Sequence, residues 1–239
     1  MGRPTEVTVP AMPITRDGLR ELLISTAIFG VGGGLAAYAG MIVSPWYWLL
    51  AAPLLIVWVF TLSFFRDPDR SVPTEAGLLV APADGTVTEI ARLDGYEGLE
   101  GPALRIGIFL SIFDVHINRS PCDGRVVRTQ YQAGQFLDAR HKDSGRRNEA
   151  NTIIIEPQPG VDGPIVVRQV AGLIARRIVC HVGPGSTLRR GQQLGMIKFG
   201  SRTELIVPAD HGFEVVVKVD DHVRAGSTII MRFAGKTGP

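Results

Sequence analysis

The hydropathy pattern divides the chain into two regimes. No charged residue occurs between Glu21 and Arg66, and this apolar stretch breaks at residues 40–45 into segments 22–42 and 46–65. Each segment is about 20 residues long, and at about 1.5 Å rise per residue a helix of that length crosses the roughly 30 Å of bilayer hydrocarbon. Ser44-Pro45 leaves room only for a tight reversal, and Trp46, Tyr47 and Trp48 stand at it as interfacial aromatics do. Arg16 and Arg20 precede the first segment, Arg66 and Arg70 follow the second, and the turn carries no cation. The pattern predicts an N-terminal transmembrane helical hairpin over 22–65, with both termini cytoplasmic, preceded by a polar lead (1–21) and followed by a proline-containing linker (66–75). Gly30 and Gly34 form a GxxxG pair, which predicts close helix packing there. A buried hairpin in a soluble core is the competing reading. A signal peptide is excluded by the length of the run and its long polar lead.

Beyond residue 75 the period shortens to short β-type runs bounded by Gly, Pro and Asp. Strands are predicted at 78–80, 85–92, 104–109, 124–131, 151–156, 165–170, 177–181, 195–199, 203–208, 213–217 and 228–233. Helix signals are confined to 134–141 and 172–175. The fold class expected of 76–239 is therefore mainly β, a compact sandwich or barrel with tight turns and few short helices. Fragments 80–87 and 219–230 resemble the two halves of lipoyl- or biotinyl-type β domains. The Met-Lys pair that such domains carry at a hairpin tip is not found, so these lipoyl-like elements speak for fold more than function.

Composition narrows the function classes. The chain is 45% hydrophobic and 20% charged with a net charge of +2, which is globular and excludes the basic excess of a nucleic-acid binder. Cys122 and Cys180 form neither a CxxC unit nor a disulfide framework. The five histidines, His116, His141, His181, His211 and His222, show no HxH or HxxxH spacing, so no metal site is expected.

The most informative stretch is Gly195-Met196-Ile197-Lys198-Phe199-Gly200-Ser201-Arg202-Thr203. Ser201 lacks the second glycine of a GxSxG elbow, and strand-like residues follow it. A Gly-Ser bond between two strands suits another chemistry. The serine hydroxyl attacks the preceding carbonyl, the resulting ester is eliminated to dehydroalanine, and hydrolysis leaves ammonia and a pyruvoyl group. Glycine at 200 admits unusual backbone angles and puts no side chain in the path of attack. Gly-Ser also occurs at Gly185-Ser186 and Gly226-Ser227, where a plain turn is the simplest account.

Context distinguishes the three. Phe199-Gly200-Ser201-Arg202 closely resembles the processing site of phosphatidylserine decarboxylase proenzymes of the short type. In the same order, Phe65-Arg66-Asp67-Pro68-Asp69-Arg70, Ala81-Pro82-Ala83-Asp84-Gly85, Phe109 to Pro121 around Asp114-Val115-His116-Ile117-Asn118-Arg119, Asn148-Glu149 and Ile174-Ala175-Arg176-Arg177-Ile178-Val179 are similar to that family's motifs. The resemblance implies self-cleavage between Gly200 and Ser201, a covalent pyruvoyl cofactor derived from Ser201, and chains 1–200 and 201–239. It implies that Asp84 supports the cleavage and that His116 serves decarboxylation, in which the pyruvoyl carbonyl forms a Schiff base with the substrate amine. On residue type alone, Asp84 reads as a turn aspartate and His116 as a core histidine. Longer members carry a second histidine where this chain has Arg119, which cannot act as a base near neutral pH. Either His116 serves both steps or another group, with His181 and His211 as candidates, activates Ser201.

The implied partners are phosphatidylserine, membrane lipid, the two product chains for each other, and a homo-oligomer of them, at the cytoplasmic side of the cell membrane. Arg125, Arg128, Arg140, Lys142, Arg146 and Arg147 are candidates to meet anionic headgroups, or are simply solvated charge. Two rivals remain: a membrane-tethered lipoyl-like binding domain without catalysis, and a pyruvoyl decarboxylase of a soluble amino acid.

Overall fold

The computed structural model describes residues 6–9, 14–138, 144–173, 177–198 and 200–234. They fall into two compact units, one over residues 12–68 and one over residues 69–239 together with the strand at 6–9.

The first unit is a helical hairpin. One rod, Arg16–Ile42, contains α1 (Leu19–Ser25), a wide π-type turn (Thr26–Gly30) and α2 (Val31–Ile42). The other, Pro45–Phe64, contains α3 (Trp48–Phe64). Both are long and apolar enough to cross a membrane. The rods meet through small residues: a Cβ on Gly33 would fall 2.9 Å from Leu55, and one on Gly40 2.9 Å from Trp48. Gly30 also faces Trp58, but a Cβ on Gly34 would meet nothing within 4 Å. The expected Gly30/Gly34 pair is thus replaced by Gly33 and Gly40, two turns apart on one line of the helix. Leu23, Leu35 and Leu49 point outward and are exposed.

The second unit is mainly β, as expected. Its strands in chain order are β1 (Glu6–Val9), β2 (Arg70–Pro73), β3 (Leu78–Val80), β4 (Gly85–Leu93), β5 (Ala103–Leu110), β6 (Ile117–Arg119), β7 (Gly124–Gln132) and β8 (Ala150–Pro157). They continue as β9 (Ile165–Ala171), β10 (Arg177–Cys180), β11 (Thr187–Leu188), β12 (Gln193–Lys198), β13 (Ser201–Pro208), β14 (Phe213–Val215), β15 (His222–Val223) and β16 (Ile229–Phe233). An eight-stranded antiparallel sheet runs in the order β11-β7-β8-β9-β13-β5-β4-β15. Its inner face packs on two three-stranded sheets, β10-β12-β6 and β14-β16-β3, through one core that includes Ile106, Ile108, Ile153, Val167, Leu205, Leu194, Leu79 and Met231.

The lipoyl-like fragments lie side by side: His222 pairs with Thr86, Ile229 with Val80, and Ala81 N–H donates to the Thr228 carbonyl. Three expectations are corrected. Residues 70–73 of the supposed linker form β2 and pair with β1 in the polar lead. Residues 134–138 are irregular, held by a bridge between Gln135 and Asn148, and Gly172 and Leu173 are not helical. The one short helix beyond the hairpin among the described residues is α4 (Ser144–Arg147). The rest of both helix candidates, with Arg140, His141, Lys142, Ile174 to Arg176 and Phe199, lies outside the described residues.

Candidate active site

Ser201 opens β13, the strand that sits between β5 and β9, where it pairs with Leu110 on one side and Ala171 on the other. Alternation along a strand sends Ser201, Thr203, Leu205 and Val207 to the inner face and Arg202, Glu204 and Ile206 to the outer face. Leu205 and Val207 accordingly join the main core, and Ile206 joins a separate outer cluster. Ser201 is fully buried, and its Oγ has no hydrogen-bond partner among the described residues. An unsatisfied buried hydroxyl is costly, so a fold that keeps one holds a group with a use. Gly200 has φ +60, while a Cβ there would meet nothing within 4 Å. Glycine suits this position through its backbone angle, and no neighbour beyond the adjacent residues crowds it.

His116 is fully buried beside this bond. Its Nε2 lies 3.2 Å from the Gly200 amide nitrogen and its Nδ1 3.0 Å from the Asp114 carbonyl oxygen. The carbonyl can only accept and the amide can only donate. Nδ1 therefore carries the proton and the Nε2 lone pair accepts from the Gly200 N–H, the amide one residue before the Gly200–Ser201 bond. The Asp114 side chain fixes the turn that delivers this carbonyl, accepting from Ser111 N–H at 2.8 Å. Next to this pair runs a buried polar ladder. Asn151 Nδ2 donates to Gln169 Oε1 (3.0 Å), Gln169 Nε2 to Asn118 Oδ1 (2.8 Å), and Asn118 Nδ2 to Thr203 Oγ1 (2.8 Å). Asn118 and Thr203 stand two residues beyond His116 and Ser201, so the ladder fixes the spacing between the segments that hold those two side chains.

Asp84 is engaged elsewhere. Its Oδ2 accepts from Arg70 Nη2 at 2.9 Å and its Oδ1 from Ala225 N–H at 2.8 Å. Among the described residues no hydrogen bond joins it to His116 or Ser201. The lateral row Thr86–Phe109–Arg202 puts the start of β4 two strand spacings, about 10 Å, from the start of β13. Gly85 is forced by this packing, since a Cβ would fall 2.1 Å from the Phe109 carbonyl oxygen. Asp84 thus ties the turn to β2 and to the loop before β16.

The alternatives to His116 recede. Arg119 turns away from Asn118's side of β6 and donates to the Gly191 carbonyl at 2.8 Å. His211 follows the far end of β13, roughly 25 Å along the strand from Ser201, beside Asp162. His181 is exposed, and His222 is more than half exposed with Nε2 3.7 Å from Asp114.

The outer face carries a charged network that the sequence reading missed. The Arg202 guanidinium crosses β5 over Gly107, which leaves no room for a Cβ, and bonds Glu89 on β4. Its Nε donates to Glu204 Oε1 at 2.9 Å, Arg168 reaches Glu204 Oε2 at 3.4 Å, and Arg105 pairs with Glu89 at 2.5 Å. Burial alone would raise the Glu89 carboxyl, but hydrogen bonds from Arg105 and Arg202 overturn that and hold it below its ordinary 4.5. Arg70, Asn118, Gln169 and Thr203 were missed as well. The i, i+2 spacing of Asn118 and Thr203 from His116 and Ser201 was the available signal.

A family model described as phosphatidylserine decarboxylase matches residues 58–231. A phosphatidylserine decarboxylase proenzyme of Rhodopirellula baltica is 44% identical over 93% of this chain and 89% of its own length. One of Carboxydothermus hydrogenoformans is 40% identical over 84% and 92%, and one of Symbiobacterium thermophilum 45% over 78% and 85%.

Proposed function

The chain belongs to the phosphatidylserine decarboxylase family, and on that premise we propose that it cleaves itself between Gly200 and Ser201 and then decarboxylates phosphatidylserine to phosphatidylethanolamine. The observation that carries this reading is the His116 Nε2 lone pair 3.2 Å from the Gly200 nitrogen, beside a buried serine hydroxyl with no hydrogen-bond partner among the described residues.

In the first step Ser201 Oγ attacks the Gly200 carbonyl carbon. His116 Nε2 exchanges the Gly200 N–H for the hydroxyl proton, takes it, and returns it to the departing Ser201 nitrogen, leaving an ester. Loss of the Ser201 Cα proton and departure of the Gly200 carboxylate give dehydroalanine. Water then releases ammonia and leaves a pyruvoyl group on Arg202 N. The Nδ1–H bond to the Asp114 carbonyl keeps the ring oriented throughout, so His116 serves where Arg119 cannot. Asp84 acts as a positioning residue, holding the turn beside β5 through Arg70 and Ala225. The pyruvoyl carbonyl supplies an electron sink for decarboxylation of an amine-bearing substrate. The buried seat of Ser201 keeps bulk water from that centre, and His116 Nε2, once protonated, can return a proton there.

The apolar rods would span the membrane, with Arg16, Arg20, Arg66 and Arg70 keeping both ends cytoplasmic. Intact mass under denaturing conditions tests the reading. Wild type should give chains 1–200 and 201–239, the smaller reactive toward carbonyl reagents and lacking a free N-terminal α-amine, and Ser201→Ala a single uncut chain. An uncut wild type after long incubation would refute it.

A further inference from the structure

The two ends of the eight-stranded sheet differ in chemistry. The end that carries Ser201 is formed by the start of β13, the ends of β5, β9 and β7, and the starts of β4 and β8. Exposed apolar side chains gather on its loops: Ile112 and Phe113 after β5, Leu173 after β9, and Tyr131 and Phe136 at the end of β7. Phe113 is 70% exposed and Leu173 64%. The exposed cations there are Arg146 and Arg147 on α4 and Arg177 at the start of β10; of the carboxylates at this end, Asp114, Asp138 and Glu149 are partly or fully buried and Asp220 is exposed.

The opposite end is acidic. The β4–β5 loop carries Asp94, Glu97 and Glu100, the β8–β9 loop Asp162, and the loop after β13 Asp210, all exposed. Arg92 offsets Asp210 and Arg128 offsets Glu97, which leaves Asp94 and Glu100 exposed on the β4–β5 loop. The cations expected at headgroups therefore split. Arg125 opens β7 at the acidic end and Arg128 is tied to Glu97, whereas Arg146 and Arg147 stand at the Ser201 end.

We propose that the Ser201 end of the sheet is the face with which the β unit lies on an anionic bilayer, its loop tips entering the interface and its arginines meeting lipid phosphates. The proposal rests on the lipid substrate of the preceding reading and adds the orientation and the residues that make contact. Two independent terms select the same face. Apolar tips gain by leaving water, and each arginine is drawn to an anionic surface. The exposed carboxylates of the opposite end are repelled by the same surface. A second copy of this chain would instead cover the apolar tips regardless of lipid charge.

The test uses the full chain reconstituted in vesicles. Leu173→Cys, in a Cys180→Ser background, carries an environment-sensitive fluorophore, and Glu100→Cys carries it at the acidic end. Cys122 is buried, with its thiol pushed up to about 12, and stays unlabelled. In vesicles containing phosphatidylglycerol the label at 173 should shift to the blue and be quenched by nitroxide-bearing lipid. High salt or pure phosphatidylcholine should weaken both effects, and the label at 100 should show neither. Labels at 173 and 100 that behave alike would overturn the proposal, as would a signal at 173 that follows protein-to-lipid ratio instead of lipid charge. Leu173→Ser should lower turnover of bilayer phosphatidylserine about tenfold and leave turnover of a monomeric short-chain analogue unchanged. An equal loss on both substrates would also overturn it. If wild type decarboxylates neither substrate, the functional reading fails while the quenching measurement still decides the orientation.

Discussion

Replacing Asp84 by Asn separates a positioning role from a chemical one. Asp84 and Arg70 are paired at 2.9 Å with side chains only 10% and 6% exposed. The amide can still accept from Ala225 N–H, but it leaves the guanidinium buried without its counter-ion. Breaking one side of a buried pair costs about 3 kcal/mol or somewhat more, which for a domain of this size lowers Tm by about 6–12 °C. The turn that carries Asp84 should loosen, and cleavage at Gly200–Ser201 should slow with it. In the double variant Arg70→Gln/Asp84→Asn no unpaired charge remains, so most of the lost stability should return. Because no hydrogen bond among the described residues joins Asp84 to His116 or Ser201, cleavage should return too. The assay is a thermal melt beside the time course of cut chain by intact mass, run below the melting point of the weaker variant. A double variant that is folded as firmly as wild type yet stays uncut would refute the reasoning and assign the carboxylate a direct part in proton transfer.

Other outcomes follow from the same geometry. His116→Gln should leave the chain folded and slow its cleavage by about 10²–10⁴-fold, read from the same time course. Gly200→Ala should meet no steric obstacle and should cost only the roughly 1–2 kcal/mol of a left-handed alanine, so it should still be cut, whereas Gly200→Val should be much slower. The Glu89 carboxyl is depressed in the folded state, so its contribution to stability is fully present above its unfolded value near 4.5 and is lost as pH falls through its lower folded value. Chemical denaturation of Glu89→Gln should therefore show a flatter acid limb than wild type.

Much of the architecture was legible because it follows from periodicity. The uncharged run between Glu21 and Arg66 gave the hairpin, and alternation gave strands close to β4, β5, β7, β8 and β9. Other parts depend on contacts distant in sequence. β2 exists because residues 6–9 pair with it, and nothing in Arg70–Pro73 alone distinguishes it from a linker. β13 was expected from residue 203 and begins at Ser201, because Arg202 and Glu204 look like solvent-facing residues and are buried by partners on β4, β5 and β9. At the site, family resemblance pointed to the Gly200–Ser201 bond and to His116. The direction of the His116 lone pair required the Asp114 carbonyl and the Gly200 amide, two backbone groups that no side-chain motif encodes. Asp84 shows the converse: its motif was recognised, but its partners were not.

The position of β13 gives the cut molecule a history. Residues 201–239 would supply the strand between β5 and β9 and also β14, β15 and β16, which pair with one another or with β3 and β4. The two product chains are therefore interwoven, and neither retains a complete sheet without the other. Before cleavage these pairings close loops within one molecule. Afterwards the same pairings form between two molecules and forfeit the high effective concentration of a tether. Cleavage must then come after folding, and a mature enzyme once denatured should regain its structure at a rate that depends on concentration, while uncut Ser201→Ala refolds at a rate that does not. The native arrangement of the mature form is thus an inheritance from its precursor, maintained by slow unfolding more than by ready reassembly.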